Sequence, residues 1–192
     1  MVLFIIPAQY FVAATFGATG CMLTVAYLSG AFRGGLRFVG WSLTLGLVSA
    51  AALYTVFFIG AVGIDLFHPF GITRSSESSI YALIVSPANP LHLQVAVLLF
   101  DSAGYEAYFR GAVQRRLGPR MSMAAAPAAA LLDASIHLAA FYQYPGIALL
   151  WFGTTFVADL VWGLTFYFSK SLFANFTSHF TWDVAIFLLA PI

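Results

Sequence analysis

The sequence predicts an all-α protein, a single integral membrane domain over residues 1–192 built as a bundle of about six transmembrane helices. Three observations carry this reading. Of the 192 residues, 61% are hydrophobic and 8% are charged, with a mean hydropathy of +0.92; soluble domains carry about 25% charged residues. So few charges could not cover a water-soluble globule, and so apolar a chain is no candidate for disorder. Apolar runs near the roughly 20 residues that cross a bilayer recur along the whole chain. The basic residues between those runs fall on alternate loops.

The elements follow in order. The first charge is Arg33, so Phe4 to about Gly30 forms the first span. It lacks a basic leader and its apolar run is too long for a signal peptide. The second span runs from Phe38 to Ile64 without a charge. Asp65 to Ser79 holds Pro69, Gly71 and a serine cluster and reads as a loop. Ile80 to Val85 is short, is followed by Pro87 and Pro90, and reads as a re-entrant or interfacial piece. The third span extends from near Leu91 to Arg115 and Arg116, and the fourth lies between about Ala124 and Tyr144, its helix starting at Pro127, a residue that suits a first turn. The fifth covers Gly146 to Phe168 and the sixth Ser171 to Ile192.

Arg33 and Arg37, then Arg115, Arg116 and Arg120, then Lys170 occupy three loops on one side of this arrangement. The other side has Arg74 beside Asp65 and Glu77. The positive-inside rule makes the basic side cytoplasmic and places both termini on the opposite side. The lipid bilayer is the implied partner, and a net charge of +1 gives no reason to expect nucleic acid. The single cysteine, Cys21, excludes an intrachain disulfide and reads as a small buried packing residue.

The acids are the informative part. Asp101, Glu106, Asp133, Asp159 and Asp183 fall inside predicted spans, as do Arg110, His137 and His179. Charge within a bilayer is costly, so such residues face the protein interior, pair, and mark functional sites; a structural polar network is the plainer alternative. Three helices each carry a polar pair four residues apart, namely Glu106 with Arg110, Asp133 with His137, and His179 with Asp183. Such pairs share a helix face. At about 1.5 Å per residue from the basic ends, Glu106, His137 and His179 reach similar depths near mid-membrane. A carboxylate beside an imidazole can act as a general base on water while a second imidazole stabilises an oxyanion. Two histidines and a carboxylate can instead hold zinc, and two histidines can ligate haem. Spacing leaves these readings open; zinc or haem at His137 and His179 is an alternative, and the first reading needs no cofactor. Asp101 and Asp159 have no partner evident in sequence, His68 reads as solvated and His92 as interfacial. Asn175-Phe176-Thr177 has the form of a glycosylation acceptor but lies inside a span.

At these residues the chain resembles the CPBP family, the CAAX-prenyl-protease and bacteriocin-processing membrane proteins, also called the Abi family. Its motifs are Glu-Glu followed after three residues by Arg, then Phe-x-x-x-His, then His-x-x-x-Asn or Asp. Here they read Tyr105-Glu106-Ala107-Tyr108-Phe109-Arg110-Gly111, Asp133-Ala134-Ser135-Ile136-His137, and His179-Phe180-Thr181-Trp182-Asp183. Gly163 and Ser171-Leu172 also follow the family pattern, and order and spacing fit from about Ser86 to the C-terminus. The resemblance implies a CPBP-like core and an intramembrane endopeptidase of the glutamate type. The first Glu and the His of the second motif would activate water, and the third motif would form an oxyanion site. On this mapping His137 assists the base, His179 and Asp183 bind the oxyanion, and Glu106 with Arg110 supports the site. The implied substrate is a peptide or prenylated peptide. Two departures matter. Tyr105 stands where the first Glu belongs, and a phenol with a pKa near 10 is a poor base at neutral pH. Asp133 replaces the motif phenylalanine, one turn before His137, where it could supply the missing base or hydrogen-bond the imidazole. The alternative is a non-catalytic homologue serving as a subunit or scaffold of a membrane complex.

Overall fold

The computed structural model describes residues 10–33, 40–67, 90–117, 123–138 and 145–189. Among the described residues there are six helices and no strand. They are α1 (Phe11–Leu28), α2 (Ser42–Phe67), α3 (Leu91–Tyr105, continued without a break by a π-helical stretch, Glu106–Gln114), α4 (Ala125–His137), α5 (Pro145–Ser169) and α6 (Leu172–Val184, ending in a π turn, Ala185–Leu189).

Three local expectations change. Helix α2 continues through Asp65 to Phe67, so the following loop starts later than its polar composition suggested. The rest of that loop, the piece Ile80–Val85, and His68, Arg37, Arg74, Glu77 and Arg120 lie outside the described residues. Helix α4 begins at Ala125, which leaves Pro127 inside the first turn, where its missing N–H removes no helical bond. Cys21 is exposed rather than buried. It lies on the outward face of α1, an apolar helix, and behaves there as a small apolar side chain.

The bundle is inverted relative to a soluble protein. Arg110, Glu106, Gln114, Asn175, Asp133 and Asp159 are fully buried, whereas Leu28, Phe168, Leu149 and Ile59 are 65–78% exposed. Polar groups inside and large apolar side chains outside are what a lipid solvent selects. Two segments, Ser42–Gly63 and Ala148–Ser169, are each 22 residues long and apolar enough to cross a bilayer by themselves.

Side-chain pairings set the relative direction of the helices. Contacts between α2 and α6 keep a constant separation of 129 residues, as Ser42–Ser171 and Ser49–Ser178, so these helices run parallel. Helices α3 and α5 hold a constant separation of 49, through Arg110–Asp159 and Gln114–Gly163, and are parallel too. Between α3 and α6 the partner numbers fall as the chain advances, from Ser102–Asp183 to Glu106–His179, so this pair is antiparallel. Odd-numbered helices therefore oppose an even-numbered one, the pattern of a chain that crosses back and forth.

Small residues bring the helices close. A Cβ at Gly104 would lie 2.4 Å from Thr19 Cγ2, and one at Gly111 would lie 2.7 Å from Ala31 Cβ, so α1 seats directly on α3. Ala26, Ala31, Ala107 and Ala112 fill the same seam. Such small-residue contacts are how membrane helices gain van der Waals packing. At the end of the bundle where Gly111 meets Ala31, Lys170 takes a left-handed φ of 55° that ends α5, and Ser171 then caps α6, its hydroxyl accepting from the Ala174 N–H at 3.3 Å. That two-residue turn fixes α6 against α5 and so places the polar face of α6 toward α3.

Candidate functional site

The π-helical stretch of α3 decides how its polar residues face the core. Bonding from i to i+5 widens the turn beyond four residues, so side chains four apart stand nearly one above another. Glu106, Arg110 and Gln114 form such a row, and all three are buried. Helix α6 offers a matching row at the same spacing, Ser171, Asn175, His179 and Asp183, each buried. Helix α5 adds Asp159, Trp162 and the Gly163 carbonyl, and α4 adds Asp133.

Glu106 sits at the junction. Its Oε1 lies 2.9 Å from His179 Nδ1. Its Oε2 accepts from Asn175 Nδ2 at 3.1 Å and stands 3.5 Å from Arg110 Nε. The Asn175 amide also donates to the Trp162 carbonyl at 2.6 Å. Arg110 turns its Nη2 to Asp159, its closest ion-pair partner, with Asp133 Oδ2 at 4.0 Å from the same nitrogen. On the far side of His179, Nε2 is 3.6 Å from Asp183 Oδ2, and Asp183 accepts from the Ser102 hydroxyl at 2.9 Å. The imidazole lies flat on the Trp162 indole, 3.9 Å between ring centroids and 16° between planes. The Trp162 N–H donates to Ser178 at 3.0 Å, which fixes the indole in that position.

Of the residues singled out in the sequence, Glu106, Arg110, Asp133, His179 and Asp183 thus join one connected centre. His137 lies one turn beyond Asp133 on α4, partly buried, with its ring edge-on to Trp151 at 5.9 Å. Tyr105 stacks on Phe109 and presents an edge to His179 at 6.3 Å. Asp101 is paired by Thr19, whose hydroxyl is 3.4 Å away.

Sequence reasoning missed Asn175, Trp162 and Ser102. Asn175 carried a signal, since it continues the four-residue ladder of His179 and Asp183. Asp159 stood out as an acid inside a span, but its partner was not legible because Arg110 is on another helix. The Glu106–Arg110 pair expected from spacing is present, but the shorter contact of Arg110 is with Asp159.

The centre is rich in acid: Glu106, Asp133, Asp159 and Asp183 face two basic side chains, Arg110 and His179. Arg110 Nη1, Asp133 Oδ1, Asp159 Oδ2 and Asn175 Oδ1 are buried with no hydrogen-bond partner among the described residues. His179 thus has one carboxylate at hydrogen-bond distance from Nδ1 and a second 3.6 Å from Nε2, beyond a direct hydrogen bond. Among the described residues no group of three or more His, Cys, Asp or Glu side chains has the arrangement of a metal site.

No curated protein and no solved structure matches the chain. A family model does, the type II CAAX prenyl endopeptidase Rce1-like family, over residues 87–185. That interval begins just before α3, runs to the first residue of the π turn that ends α6, and contains every member of the polar centre. The match spans just over half of the 192 residues, and the chain, a CAAX protease-like membrane protein, belongs to the type II CAAX prenyl endopeptidase Rce1-like family, within the CPBP group.

Proposed function

We propose that this protein is a divergent member of its family in which the polar centre holds the bundle together, with peptide hydrolysis slow or absent. In this reading it acts as a membrane-embedded binding or scaffold subunit that keeps the protease architecture. One observation carries the reading. Tyr105 occupies the place of the water-activating Glu, and both oxygens of the remaining Glu106 are engaged, by His179 on one side and by Asn175 and Arg110 on the other. A carboxylate so committed has little freedom to take a proton from water. Asp183 supports the same reading, since a carboxylate 3.6 Å from His179 Nε2 competes for the donor that an oxyanion needs. The six helices are read as six spans, with the arginine-bearing loops cytoplasmic and both termini opposite.

A second reading has its own observation. Asp133 Oδ1 is buried without a partner among the described residues, and Asp133 lies one turn from His137. In this reading Asp133 is the base, Glu106 and Arg110 support it, and prenylated or unprenylated peptides are cleaved.

Loss of a general base costs about 10²–10⁴ in rate. Tyr105→Glu should restore cleavage of prenylated peptides in proteoliposomes, and adding His137→Ala should abolish the gain. No gain in Tyr105→Glu, with the fold intact, would show that the centre is not a dormant hydrolytic site.

A further inference from the structure

A second feature of the chain lies away from the polar centre, where α1 ends beside the end of α3. A cavity of about 260 Å³ opens there, lined by Val25, Tyr108, Ala112, Val113, Arg116 and Leu117. It is apolar along its wall and cationic at its mouth. Tyr108 and Arg116 are eight residues apart on α3, so the groove runs about two turns along the helix from the arginine inward.

The charge around the mouth is of one sign. The described residues 29–33 and 115–117 carry Arg33, Arg115 and Arg116 and no acid, and the first acid in the whole chain is Asp65. The structure brings the two segments together. Arg115 Nη1 donates to the Ala31 carbonyl at 2.9 Å, and Arg116 Nη2 approaches the Ser29 carbonyl at 3.5 Å. Tyr27 and Leu28, 73% and 78% exposed, flank the same end of α1, and tyrosine gathers where a membrane meets water. Basic pockets between membrane helices hold acidic headgroups.

We propose that this groove is a binding site for an anionic glycerophospholipid, with the phosphate at Arg116, beside Arg115, and an acyl chain against Val25, Tyr108 and Val113. Charge complementarity selects this occupant over a neutral lipid. The groove is too small for a whole lipid and suits a stretch of one chain.

The test is native mass spectrometry of the delipidated full-length protein, titrated with phosphatidylglycerol or phosphatidylcholine in detergent. Phosphatidylglycerol should bind in preference. Arg116→Gln should weaken it about fivefold, the effect of one basic residue at a membrane surface. Val113→Trp should fill the groove and abolish the tight adduct, while Val157→Trp on the outer face of α5 should leave it intact. Equal retention of the two lipids, or undiminished phosphatidylglycerol binding by monodisperse Arg116→Gln or Val113→Trp, would overturn the assignment.

Discussion

The first two helices and the last four solve the same packing problem with different chemistry. Helices α1 and α2 bring no charged side chain to the described core. They approach their neighbours through glycine, alanine and hydroxyl groups: Thr19 against Gly104, Ala31 against Gly111, and the serine pairs Ser42–Ser171 and Ser49–Ser178. Helices α3 to α6 add buried ions to such contacts, with Arg110 and His179 set among Glu106, Asp133, Asp159 and Asp183. Apolar contact alone gives little preference between membrane helices, because lipid tails are as apolar as leucine. The small-residue seams work by closeness of fit. The ionic centre works by the cost of leaving any one charge without its partner. The family match covers only the ionic half.

The contrast makes sharp predictions. The largest effect is expected at Arg110. Arg110→Ala leaves an uncompensated cluster of buried carboxylates and should lower stability by about 3–5 kcal/mol. The measure is thermal unfolding in detergent, set against Leu132→Ala, a half-exposed site on the outer face of α4. Equal melting temperatures for the two variants would mean that the ion pairs do not hold the bundle.

The next effect belongs to the seams. Gly104→Ala places a methyl group against the stiff, β-branched Thr19 and should cost about 1–3 kcal/mol by overpacking. Gly60→Ala on α2 meets nothing within 4 Å and should be neutral or stabilise by up to about 1 kcal/mol through helix propensity. If both glycines tolerate alanine alike, close approach is not what joins α1 to α3.

Much of the ionic half was legible in the sequence because charge is rare there and spacing is local. Glu106–Arg110 and His179–Asp183 are pairs within single helices, and a four-residue interval is enough to find them. Asp159 looked solitary because its partner, Arg110, is 49 residues away on α3. The π-helical stretch from Glu106 to Gln114 left no trace in composition, although it aligns the polar row of α3. Helix ends moved where composition misled: Asp65 reads as loop by its charge yet belongs to the last turn of α2. The small-residue seams were the least legible part. A glycine in an apolar run looks the same whether it touches a neighbour, as Gly46 does, or nothing, as Gly60 does.

A smaller effect should appear where the two chemistries meet. Ser171 caps α6 and also pairs with Ser42 of α2 at 3.2 Å. Ser171→Ala should cost about 1 kcal/mol as a lost N-cap. Ser42→Ala should cost less, near the roughly 0.6 kcal/mol of an average interhelical hydrogen bond in a membrane. The order of the two in thermal melts separates capping from pairing.

The central claim is that the buried centre has been given over to structure and no longer activates water. Its most direct test is a single-turnover cleavage assay of the purified wild type in proteoliposomes, against prenylated and unprenylated peptides, with Asp133→Ala alongside. The account predicts no cleavage by the wild type above that of protein-free vesicles, and no change in Asp133→Ala. Cleavage by the wild type that disappears in Asp133→Ala would contradict it and make Asp133 the base.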